Sequence, residues 1–232
     1  MPVVHHRSIT RIPALANNVL RGRVAHEDSG HPAGLLSMGA LLVAAGALYG
    51  ATMGSYDVLL GPRPWQMLYS GLKLPLLLLA TFALSLPTFF IVNTILGMRA
   101  DFGHAVRALV AAQTGLTVVL VSFAPFTVVW YVSFGNYDAA IVFNGFMFAI
   151  ASVASQRIVQ RLYQPLIERN PRHRTMLRVW LVIYAFVGIQ MAWVLRPFIG
   201  KPELPTQFFR GEQWGNAYVE LVKIIWRAVG GI

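Results

Sequence analysis

The side chains able to do nucleophilic, acid–base or metal chemistry are few in this sequence, and their spacing does not suit it. His5, His6, His26 and His31 come nearest to a metal-ligand set. They lie in an irregular N-terminal stretch without carboxylate or thiolate support, which reads as a solvated tail rather than a site. The chain has no cysteine, so thiol nucleophiles, disulfides and Cys-type metal centres are removed. No G-x-S-x-G, H-E-x-x-H, Walker or paired-Asp motif occurs. The expectation is a protein with no catalytic, cofactor-binding or metal-ligating residues, and hence no cofactor.

What remains for chemistry is uncharged and polar, set within long apolar runs. Ser85, Asn93, Gln113, Asn144 and Gln190, together with the bend expected at Pro87, are the candidate set. In hydrocarbon such groups seek partners on neighbouring helices, so interhelical hydrogen bonding is the first reading. The second is a path for a small solute, because helices bent at Pro75, Pro87 and Pro125 resemble the broken helices that form transporter sites. A second candidate set is basic. Arg157, Arg161, Arg172, Arg174, Arg178 and Arg196 read as contacts to lipid phosphates. At Arg196 the following Pro197 must stop the helix, leaving the guanidinium free to turn back toward the last carbonyls or over Trp193.

Composition decides which elements position these groups. Of 232 residues, 56% are hydrophobic and only 12% charged, and mean hydropathy is +0.57. Soluble domains carry about twice that share of charge. The sequence therefore predicts an all-α integral membrane protein. Runs long enough to cross roughly 30 Å of hydrocarbon are Gly34–Met53, Leu74–Leu96, Ala108–Ser133, Ala139–Ser155 and Val179–Leu195. The first follows a 33-residue leader and is too long for a signal-peptide core, so it reads as retained. Five spans with no internal self-similarity argue against paired inverted repeats.

Orientation follows from Lys and Arg. The leader and the second and fourth connections hold 12 of the 19 basic residues, and the opposite side, Arg63 and Lys73 included, holds 7. The N-terminus is expected in the cytoplasm and the C-terminus outside, in a plasma (inner) membrane. Tyr56, Trp65, Tyr69, Trp130, Tyr131, Phe134, Tyr137, Trp193 and Phe198 are expected as an outer aromatic belt, with Tyr163 and Trp180 marking the inner one. A formal charge of +10 invites a nucleic-acid reading. The cations flank apolar runs instead of forming one face, so membrane lipids are the expected counter-charge and no nucleic acid is expected.

Outside the spans, residues 1–33 form a basic leader whose Ile9, Ile12, Leu15 and Val19 repeat at three and four, the pattern of a surface-lying helix; a disordered tail is the alternative. The fourth connection should extend the fourth helix through Arg157 and Arg161, then turn at Pro165 and at Asn170-Pro171. After Pro197, Pro202 and Pro205, a helix from about Glu212 places Trp214, Tyr218, Leu221 and Ile225 on one face, suited to a membrane surface or a partner helix.

The string Asp57-Val58-Leu59-Leu60-Gly61-Pro62 before a span resembles the Asp-Leu-Tyr-Gly-Pro motif of Yip1-type membrane proteins, one residue longer and without the Tyr. Their layout of cytoplasmic leader, five spans and polar fourth connection is also similar. Trp193-Val194-Leu195-Arg196-Pro197-Phe198 resembles segments of uncharacterised bacterial polytopic proteins. These resemblances imply membrane organisation or scaffolding in a bacterial membrane. The functional expectation is a non-enzymatic integral membrane subunit that organises partner proteins or lipid, alone or with other membrane subunits or a second copy. The alternative is a small-solute or ion channel or carrier with a site near the Pro-bent second and third helices.

Overall fold

A computed structural model describes residues 11–22, 32–56, 64–201 and 204–209. It is all-helical there, with no strand among the described residues. In chain order the helices are α1 (Arg11–Leu20), α2 (Pro32–Gly54), α3 (Pro64–Ile95), α4 (Phe102–Ser122), α5 (Ala124–Ser133), α6 (Tyr137–Arg169) and α7 (Arg172–Leu195). A 3-10 turn, Arg99–Asp101, leads into α4. Among the described residues five stretches are long and apolar enough to cross a membrane: Gly34–Gly54, Pro64–Ile95, Arg99–Ser133, Tyr137–Arg169 and Arg172–Leu195. The chain is thus a multi-pass helical membrane protein. The C-terminal face of Trp214, Tyr218, Leu221 and Ile225, the leader histidines and the Asp57 to Pro62 motif lie outside the described residues.

Glycine sets the first contact. Gly46 and Gly50 continue to Gly54, and all three press on α3. A Cβ on Gly50 would overlap the Ser70 carbonyl, and one on Gly54 would come within 2.6 Å of the Gln66 oxygen. Small residues let two helices approach to backbone contact, where dispersion and weak polar contacts replace the missing hydrophobic drive of the bilayer. α2 thus packs along the first half of α3, and also on α4, while α6 packs on α4.

Proline acts differently at each position. At Pro125 the third span breaks: α4 ends at Ser122 and Pro125 sits in the first turn of α5, where a missing amide costs nothing. Pro75 and Pro87 lie inside an unbroken α3. The turn expected at Pro165 does not occur; α6 runs through it to Arg169. Pro165 is exposed one turn from the helix end, so the carbonyl it leaves unpaired faces solvent. The fourth connection is consequently helical almost throughout, and only Asn170 and Pro171 join α6 to α7.

Two further expectations are corrected. The second span starts not at Leu74 but at Pro64, so Lys73 lies within the helix and is wholly buried. The inner aromatic belt is core instead: Tyr163 and Trp180 are buried, and Trp180 meets Phe82 and Phe89 edge-on at 5.5 and 4.9 Å. On the opposite side Trp65 and Phe134 are exposed, as belt residues should be, but Tyr56 turns inward against Tyr131 and Tyr137 at 5.2 and 5.8 Å.

The leader helix α1 lies on the bundle, not away from it. Val19 is fully buried, and Gly22, in the left-handed region at φ +67°, lets the chain turn beside Arg161. The same end of the bundle carries the exposed Arg157, Arg161, Arg172, Arg174 and Arg178; it is called the leader end below.

Candidate functional site

α7 leans on α3 and touches α6 only sparsely, although α6 precedes it in the chain. The gap left between α6 and α7 is a cavity of about 430 Å³, floored by α3 and α4. Its walls are apolar, with Leu77, Leu109, Phe148, Val159 and Trp180 prominent, and among the described residues none that lines it is charged. Ser152 on α6 and Ile189 on α7 line it and are exposed, so the cleft opens sideways between two membrane-spanning helices, toward lipid.

Each of its four helices contributes one buried polar atom without a hydrogen-bond partner: Thr81 Oγ1 from α3, Gln113 Nε2 from α4, Gln156 Oε1 from α6 and Tyr184 OH from α7. Thr81 and Gln113 are buried at 1% and 7% exposure. Unpaired polar groups in an apolar interior cost roughly 1–3 kcal/mol each, so four lining one cavity make it the candidate binding site. Gln113 is six residues from Arg107 and Tyr184 six from Arg178, which sets both about 9 Å deeper than the basic rim along their helices.

The rest of the expected polar set does not gather here. Asn144 ties helices together: its Oδ1 accepts from Tyr49 OH at 3.2 Å, and its Nδ2 donates to Tyr131 OH at 2.7 Å and to the Ala140 carbonyl at 2.8 Å. Ser85 donates to the Thr81 carbonyl of its own helix at 2.7 Å. Asn93 closes the end of α3, donating to the Met98 carbonyl at 3.0 Å, where Gly97 takes a positive φ of 75°. Pro87 points outward and Gln190 is half-buried, away from the lining. Interhelical ties also come from Thr114 to the Met38 carbonyl at 3.2 Å and from Ser155 to the Ala112 carbonyl at 2.8 Å.

Among the basic set, Arg172 donates to the Leu96 carbonyl at 3.4 Å. His173, buried beside it, places Nε2 3.1 Å from Asp101 Oδ2 and so pins the start of α7 to the turn before α4. At the far end Arg196 is extended, with ψ 152°, and its guanidinium carbon lies 3.4 Å from the centroid of the Trp193 ring.

Sequence reasoning missed a polar dock at that far end. Gln66, Ser70 and Lys73 share one face of α3 and hold the chain after α7: Gln66 Nε2 and Ser70 Oγ donate to the Phe198 carbonyl, and Lys73 Nζ to that of Pro197 at 2.8 Å. Their spacing of four and three was the available signal. For the cleft, Tyr184 in mid-span was one; Thr81 and Gln156 gave none beyond being polar. Comparison of the chain with protein-family models, with curated proteins and with solved structures gives no match.

Proposed function

We propose that this chain is a non-enzymatic integral membrane protein that organises lipid or partner subunits, with the cleft between α6 and α7 as its binding surface. The observation that carries this is the sideways opening of an uncharged cavity whose four unpartnered polar atoms come from four helices. A soluble substrate would have to pass hydrocarbon to reach it; a molecule already dissolved in the bilayer would not. The Yip1-type resemblance implies the same kind of role.

In this reading the leader end faces the cytoplasm of a bacterial inner membrane, since it gathers the exposed arginines among the described residues. Those arginines contact lipid phosphates, and the C-terminal segment meets a membrane surface or a partner on the other side.

A channel or carrier near Pro87, Asn93, Gln113 and Asn144 is the competing function. Against it, Asn144 and the Asn93 amide nitrogen have protein partners and Pro87 faces outward, and of that set Gln113 alone lines the cleft. Single cysteines at Ser152, Gln113 and Asn144 in this naturally Cys-free chain test the two. Labelling of the Ser152 site by a lipophilic maleimide, with protection of all three from a charged one, is expected; charged reagent reaching Asn144 or Gln113 from water would replace this function with a conduction path.

A further inference from the structure

The cleft also specifies what enters it, and this inference rests on the membrane-open binding surface proposed above. A phosphate or carboxylate head is disfavoured by charge, because none of the described lining residues is cationic and an unpaired anion in so apolar a place is prohibitively desolvated. A bare acyl chain would leave Gln113 Nε2, Gln156 Oε1 and Tyr184 OH unsatisfied. The occupant must therefore be uncharged, must accept hydrogen bonds from the Gln113 amide and a hydroxyl, and must tolerate the Gln156 acceptor.

Depth narrows the class. The backbone positions of Gln113 and Tyr184 lie about 9 Å beyond Arg107 and Arg178 along their helices, which in the proposed membrane placement is deeper than the phosphates those arginines would meet. Shape narrows it further: Trp180 and Tyr184 line one wall with ring centroids 5.4 Å apart and planes inclined by 31°. A wall that contains two aromatic rings suits a flat, uncharged ring, which can pack against them offset or edge-on. The hydrocarbon-facing mouth at Ser152 and Ile189 leaves room for a tail.

We propose that the cleft between α6 and α7 binds the head of an isoprenoid quinone or its quinol. The quinone oxygens accept from Gln113 Nε2 and Tyr184 OH, a quinol hydroxyl donates to Gln156 Oε1, and the tail leaves through the gap into the bilayer. Binding is reversible and involves no electron transfer by the protein.

The test is equilibrium binding of tritiated decylubiquinone, oxidised and reduced, to the full chain in phosphatidylcholine nanodiscs. Saturable binding near one per chain is expected, weakened about tenfold by Gln113→Leu and by Tyr184→Phe, the change that loss of one ordinary hydrogen bond produces. Ser152→Trp, at the exposed rim where the fold does not depend on the side chain, should abolish binding by closing the mouth. Excess dioleoylglycerol or phosphatidylglycerol should not compete. Absence of saturable binding, indifference to all three variants, or displacement by dioleoylglycerol would overturn the assignment. If quinone fails to bind while the lipophilic maleimide still labels the Ser152 site, the ligand class is wrong and the membrane-open surface stands; if charged maleimide labels that site from water, both fall.

Discussion

Lys73 Nζ donates to the Pro197 carbonyl oxygen at 2.8 Å from a side chain fully removed from solvent, and it also lies 5.0 Å from the centre of the Phe208 ring. A buried ammonium persists only where oxygens and ring faces replace its water. Here the replacement comes from the segment after the last span, so one cation fastens the chain's exit from α7 to the first third of α3.

Lys73→Met should therefore free that segment. The expected loss is about 1.5–3 kcal/mol, the worth of a charge-assisted hydrogen bond, seen as a lower unfolding temperature in detergent. Limited proteolysis after residue 196 should accelerate in parallel. Unchanged melting and cleavage would mean that Gln66 and Ser70 hold the segment without Lys73.

Gly50→Ala should part α2 from α3, because its new methyl would overlap the Ser70 carbonyl. Overpacking of this kind costs about 1–3 kcal/mol. Gly39→Ala is the control, since a methyl there meets open space; it should melt like the parent or slightly above it. Equal melting temperatures for the two variants would contradict the packing described.

Asn144→Leu should leave the hydroxyls of Tyr49 and Tyr131 without their shared partner. An interhelical hydrogen bond in a bundle is worth roughly 0.6–2 kcal/mol, and this residue makes two of them. Tyr49→Phe removes one and should lose less. Detergent melts of the single and double variants give the coupling, which should be near zero only if the network does not exist.

How much of this was readable before folding depends on whether the deciding contact is local. The stop at Arg196 follows from the chain within one turn and occurs where the sequence places it; bends are expected alike at Pro75, Pro87 and Pro125, and the helix is interrupted only beside Pro125. The start of α3 is not legible, because in a hydropathy run Lys73 has the place of a flanking cation; its partner, the Pro197 carbonyl, is far along the chain. Depth alone places Tyr163 and Trp180 in an interfacial belt, but face decides, and both are buried against neighbouring helices. The cleft was least legible of all. It exists because α7 leans on α3 and not on α6, a choice between partners that no single helix encodes.

The proposed orientation has its own check. Topology reporters fused after Arg23, Gly61, Arg172 and Ile232 should read cytoplasm, outside, cytoplasm and outside, as the arginines of the leader end require. Two successive fusions reporting the same side would refute five crossings, and a wholly inverted pattern would place the leader end outside.

The central claim is that the cleft between α6 and α7 is open to hydrocarbon and closed to water, and a nitroxide at Ser152 measures this directly. In lipid nanodiscs, the account predicts that dissolved oxygen relaxes the label strongly while a water-soluble nickel chelate hardly reaches it, with the same ranking for a label at Ile189. Strong relaxation by the nickel chelate at both sites would contradict it and make the cavity part of an aqueous path.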